Sequence, residues 1–149
     1  MTRLWFLNTL VTVGVSNEQG GDGISVLESL APHGDSPPLH VHHDEDEVFH
    51  ILEGELRFRV GDDELRAGPG ETLLAPKGVP HTYRVESDEA HWLVITTPAG
   101  FDGFVRAVAD VAPAEELPPA GRPVDPAAMA DAAARFGIEL LGPPGTLPA

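Results

Sequence analysis

From residue 4 to about residue 97 the chain is a succession of short strand-like stretches, each closed by glycine, proline or an acidic turn. Val11 to Val15, Ile24 to Ala31, Val48 to Leu52, Glu55 to Val60, Asp63 to Ala67, Thr72 to Ala75, His81 to Val85 and His91 to Thr97 all read as strands. Between them lie Gly20-Gly-Asp-Gly23, Glu53-Gly54, Gly61-Asp-Asp63, Gly68-Pro-Gly70 and Pro76-Lys-Gly78. Such spacing predicts an antiparallel sandwich or barrel. Leu56, Phe58 and Val60 alternate with Arg57 and Arg59, which gives one dry face and one wet face. Pro76-Lys77-Gly78 suits a type I turn, with proline at its second position and glycine at its fourth.

The opening run from Leu4 to Val15 is apolar, but only Arg3 precedes it and Asn8, Thr9 and Thr12 interrupt it. No small-residue cleavage site follows, and the run is far too short to span a bilayer. It predicts an opening β-strand and a soluble, cytoplasmic protein. After Pro98 the composition changes. Apolar residues at 101, 104, 105, 108 and 111 keep a helical period over Phe101 to Val111, and Pro113 to Pro123 reads as a connector. Asp125 is a candidate N-cap and Pro126 a first helical residue for a helix over Ala127 to Phe136, closed by Gly137. The tail from Ile138 predicts an extended strap or a partly disordered segment. With 149 residues, the chain is expected to be one domain: a barrel over about 4–97, then a helical cap and Pro-rich tail over about 98–149.

Two segments carry the chemistry. In Gly34-x5-His40-x-His42-x4-Glu47-x6-Gly54 two imidazoles stand two residues apart, on one face of any strand. In Gly70-x5-Pro76-x-Gly78-x2-His81 a third arrives from a separate hairpin. A lone histidine is more often a hydrogen-bonded or surface residue than a ligand. Three at this spacing with Glu47 predict one divalent ion, Fe, Mn, Ni, Cu or Zn, with coordination positions left open for a substrate. His43 points to the opposite face, and Asp44, Glu45 and Asp46 read as a solvated turn. His33, His50 and His91 have no partner spacing.

These two patterns resemble the signature motifs of the cupin superfamily. The match covers residues 34 to 85 directly, and the flanking strands extend it over most of 5–97. A final asparagine common in the second motif is replaced here by Val85, which is not a ligand position. The resemblance implies an all-β cupin jelly-roll barrel with a C-terminal helical extension, and metal held by His40, His42, Glu47 and His81. It also implies a homodimer, for which Trp5 and Phe6 on the first strand offer a seam. Among small cupins the three-histidine, one-glutamate set is similar to that of quercetinase-type dioxygenases.

Strand alternation puts Phe49 and Ile51 on the side of Glu47, and Tyr83 on the side of His81. Phe49, Tyr83 and Phe58 are the candidate substrate-pocket residues, with plain core packing the better account of Phe58. Trp92 and Phe101 fit pocket, interface or core equally. A net charge of −15 disfavours nucleic acid and anionic membranes, and the absence of cysteine removes thiolate ligands and nucleophiles. The expected activity is metal-dependent dioxygenation of an aromatic or enolic small molecule, such as a flavonol or polyketide-like phenol, with Glu47 as the base. Two alternatives stand beside it: a redox-neutral lyase, isomerase or cyclase, and a non-catalytic ligand-binding cupin.

Overall fold

The structure, a computed structural model, describes residues 2–98, 100–145 and 147. Ten strands come first: β1 (Arg3–Phe6), β2 (Thr9–Val15), β3 (Ser25–Pro32), β4 (His40–His42), β5 (Asp46–Glu53), β6 (Leu56–Val60), β7 (Asp63–Ala67), β8 (Thr72–Ala75), β9 (His81–Val85) and β10 (Glu89–Thr97). Helix α1 (Phe101–Val108), strand β11 (Asp110–Val111), helix α2 (Pro126–Arg135) and strand β12 (Ile138–Leu140) follow. They form two antiparallel sheets, one in the order β11-β1-β2-β3-β10-β5-β8 and the other β12-β4-β9-β6-β7. This is the jelly-roll arrangement expected, with helices appended after the last long strand.

The core lies between the sheets because strand alternation turns one side of each inward. In β5, Glu47, Phe49 and Ile51 are buried while Asp46, Val48 and His50 are partly exposed. In β10, Ala90, Trp92 and Val94 are buried in the same way. Phe49 and Phe58 stand centre to centre at 5.0 Å, and Tyr83 meets the edge of Trp92 at 5.3 Å. Burying side chains of this size contributes about 2–3 kcal/mol each. Gly54 closes the β5–β6 turn at φ 82°, and a Cβ there would lie 2.4 Å from the Glu89 carbonyl oxygen. Only glycine fits both constraints.

Three local expectations are revised, and a fourth is made specific. The apolar opening is a hairpin rather than one strand: β1 pairs with β2, and the chain reverses at Leu7-Asn8 with Leu7 at φ 54°. No glycine marks that reversal. The turn after β8 is shifted by one residue, because the Val79 amide donates to the Pro76 carbonyl at 3.1 Å. Proline is therefore its first residue and Gly78, at φ 79°, its third, which is type II geometry. The first helix stops at Val108, and residues 110 and 111 leave it to pair with β1. The tail begins as a strand: Ile138, Glu139 and Leu140 pair with His42, Val41 and His40. Helix α2 starts as expected, with the Asp125 carboxylate accepting the amides of Ala127 and Ala128. No helix among the described residues is long and apolar enough to cross a membrane.

Candidate metal centre and cavity

The four residues singled out by spacing come from both sheets. His40 and His42 lie on β4, His81 opposes His40 in register on β9, and Glu47 reaches in from β5 of the other sheet. The Gly78 amide donates to the His42 carbonyl at 2.8 Å, which ties the turn before His81 to the strand carrying the other two imidazoles. Ring centres lie 4.4 Å apart for His40 and His81, 5.2 Å for His40 and His42, and 5.4 Å for His42 and His81. One ligand atom from each of the four residues falls within 4.8 Å of the others.

Each imidazole is anchored through Nδ1. His40 donates to the Pro38 carbonyl at 2.7 Å, His81 to the Val79 carbonyl at 3.0 Å, and His42 to the Glu45 carboxylate at 2.7 Å. A carbonyl or carboxylate only accepts, so Nδ1 carries the hydrogen and Nε2 is left as the inward-facing nitrogen. His81 Nε2 lies 2.7 Å from Glu47 Oε2. His42 Nε2 stands 3.1 Å from the same oxygen but is buried without a hydrogen-bond partner. A buried nitrogen left so is costly, and a cation shared with Glu47 would satisfy it. The donor set suits a divalent ion on chemical grounds as well.

Ionisation follows the same geometry. Burial and the neighbouring His81 charge hold His40 down to about 3, so its nitrogen is a free base at neutral pH. Burial alone would raise Glu47, but the charge of His42 and the hydrogen bond from His81 outweigh it and hold the carboxyl at about 2. His42 is raised: burial opposes its charge, and Glu47 and Glu45 more than offset that penalty. Burial pushes the Tyr83 phenol well above its usual value, with the charges of Asp35 and Glu47 acting in the same direction.

His40 and Glu47 lie on the wall of a cavity of about 330 Å³. Phe49, Tyr83, Trp92, Phe101 and Met129 line it, so both sheets and both helices contribute. Tyr83 and Phe49 share this lining with His40 and Glu47, and Trp92 and Phe101, undecided from sequence, also face the cavity. Phe58 is fully buried against Phe49 and Tyr83, one layer behind the lining. Its strand, β6, lies beyond β9, the strand of His81, in the sheet order.

Three other expectations change. Glu45 is not in a solvated turn; it is 4% exposed and bound to His42. The signal for it was the placement of an acid three residues after a candidate ligand histidine that would require an acceptor. Phe6 is not a free seam residue, because it meets the edges of Phe101 and Phe104 at 6.3 and 5.7 Å. Trp5 lies beneath the Arg122 guanidinium and donates to the Glu116 carbonyl at 2.9 Å. His91 also has a partner, the Glu28 carboxylate at 2.5 Å.

Residues 26–96 match the cupin domain family. The chain belongs to the cupin superfamily. This cupin is 30% identical over 97 residues to quercetin 2,3-dioxygenase of Bacillus subtilis (strain 168), a match covering 64% of this chain and 29% of that protein. It is 30% identical over 57 residues to an uncharacterized protein of Methanocaldococcus jannaschii, covering 38% of this chain and 46% of the other. The cupin therefore spans less than half the length of either relative. Among solved structures, KdgF from Halomonas sp. is similar with a TM-score of 0.59 at 14% identity, over 64% of this chain and 84% of that one. An oxalate decarboxylase of Bacillus subtilis is similar with a TM-score of 0.61 at 18% identity, over 70% of this chain and 29% of the other. At these identities the two structures speak for the fold alone.

Proposed function

We propose that this cupin is a metal-dependent dioxygenase of an aromatic or enolic small molecule, such as a flavonol or polyketide-like phenol. The observation that carries the reading is the convergence of His40, His42, His81 and Glu47 beside a cavity lined by aromatic side chains. The partial relationship to a quercetin dioxygenase supports it. His40, His42 and His81 would hold the ion, and Glu47 would be its fourth ligand. A divalent ion bound there lowers the pKa of a coordinated hydroxyl and, if redox-active, gives oxygen chemistry a route. Glu47 is ionised throughout the neutral range, and takes the proton released from the substrate hydroxyl. It is a weak base, so it relies on a substrate already acidified. Phe49 and Tyr83 flank the ring, and Phe58 supports them from behind. The neutral Tyr83 phenol adds no charge that would repel an enolate.

On this reading the barrel and its helical cap work as one domain, in the cytoplasm, as a homodimer. The dimer is supported by Val26, Ile95, Val48 and Leu74, which lie in register across β3, β10, β5 and β8 on the side away from the core. The negative charge speaks against nucleic acid as a partner.

Oxygen uptake by protein loaded in turn with Fe, Mn, Ni, Cu or Zn, across a panel of flavonols and catechols, tests the proposal. Consumption with a redox-active metal is expected. No consumption across the panel would overturn it. Turnover without oxygen would make the protein a redox-neutral lyase, isomerase or cyclase, and thermal stabilisation by a ligand without product would make it a binding protein.

A further inference from the structure

The three imidazoles are oriented in two different ways. His40 and His81 donate Nδ1–H to main-chain carbonyls, whereas His42 donates to a carboxylate. That carboxylate belongs to Glu45, which is 4% exposed although His43 and Asp44 beside it face solvent. Its other oxygen approaches the main chain that leads into α1, lying 3.3 Å from where a Cβ on Gly100 would stand. The His42 ring packs against Phe101, the first residue of α1, at 5.3 Å. Glu45 is thus wedged between a ligand strand and the start of the cap. An acid buried so deeply needs a partner, and His42 supplies it.

We propose that Glu45 is a positioning residue for the metal centre. Its carboxylate fixes the Nδ1–H form of His42 and the tilt of the ring, so that the unpartnered Nε2 presents its lone pair to the ion. It also increases the donor strength of that nitrogen, which neutral carbonyls do less for His40 and His81. Because the other two acceptors are main-chain atoms, Glu45 is the one acceptor of the three that a side-chain substitution can remove. The inference rests on the metal reading of the four ligands.

Cobalt(II) is a suitable probe, since its visible absorption reports the ligand field and its affinity can be measured by competition with a chromophoric chelator. Glu45→Ala is expected to weaken cobalt binding about 10- to 100-fold and to shift the absorption band. Glu45→Gln keeps an acceptor but loses the charge, so it should recover part of the affinity, with a band between those of the other two proteins. Circular dichroism checks folding, and if the alanine variant does not fold, the glutamine variant decides. Wild-type protein that takes up no cobalt would overturn the metal reading itself. Wild-type protein that binds cobalt, with a folded variant matching it in affinity and spectrum, would overturn the role of Glu45 alone.

Discussion

Glu47 Oε2 lies within 3.1 Å of two imidazole nitrogens, and this contact governs how the metal-free protein responds to acid. Its folded value of about 2 is below the ordinary 4.5, so its contribution is complete above pH 4.5 and is lost as pH falls toward 2. His40 behaves similarly from a different cause. Held at about 3 against an ordinary 6.5, it stays neutral when folded while the unfolded chain takes up a proton below 6.5. Both effects destabilise the folded state in acid. The urea midpoint of metal-free protein is expected to fall steadily from pH 6.5 to pH 3. A flat profile would contradict the burial of these two groups. His42 has the opposite sign: being raised, its proton competes with a metal for the same nitrogen. Metal loading should therefore release protons, measurable by titration calorimetry in buffers of different ionisation enthalpy, and affinity should rise with pH.

At the scale of elements, the turns and the cap make separable contributions. Gly54 connects β5 to β6 and has both a left-handed backbone and a crowded neighbour. Gly54→Ala should destabilise the protein by more than about 1 kcal/mol, read as a drop in urea midpoint. Helix α2 bears on the cavity through Met129, whose side chain is on the lining but far in sequence from the candidate ligands. If the proposed dioxygenase reading holds, Met129→Trp should raise KM for the larger flavonols severalfold and leave metal content unchanged. A fall in metal content instead would show that α2 supports the ligands rather than the substrate space. Strand β12 joins the two roles, since Ile138 is buried beside α2 and pairs with His42 in the sheet.

At the scale of the whole molecule, the outward side of the larger sheet presents an apolar row in which Leu74 is 50% exposed. Ile95 stands at its centre, paired on either side with Val26 and Val48. If two copies meet on this face, Ile95→Lys should halve the mass measured by light scattering and leave circular dichroism unchanged. An unchanged mass would move the contact elsewhere or make the wild-type protein a monomer. The Trp5 and Phe6 region offers less for such a seam, because Arg122, Phe101 and Phe104 already cover it.

Much of the barrel was legible in the order of residues because strand pairing leaves a period of two and turns demand glycine or proline. The same local rule placed His40 with His42, and Glu47 with Phe49, without reference to any partner strand. The reversal at Leu7-Asn8 was not legible, because its residues resemble the strands around them. Pairing of Ile138–Leu140 with β4, and of residues 110 and 111 with β1, depends on contacts made across the length of the chain. Glu45 shows the division most clearly. Among His43, Asp44, Glu45 and Asp46 any acid could have faced water, and only the arrival of α1 behind β4 enclosed that one carboxylate against His42. Linear spacing thus determined which residues could act as ligands, since side-chain direction along a strand is a local property. The folded molecule alone decided which groups orient them and what lines the cavity, since those depend on segments that meet only when the sheets close and the cap packs.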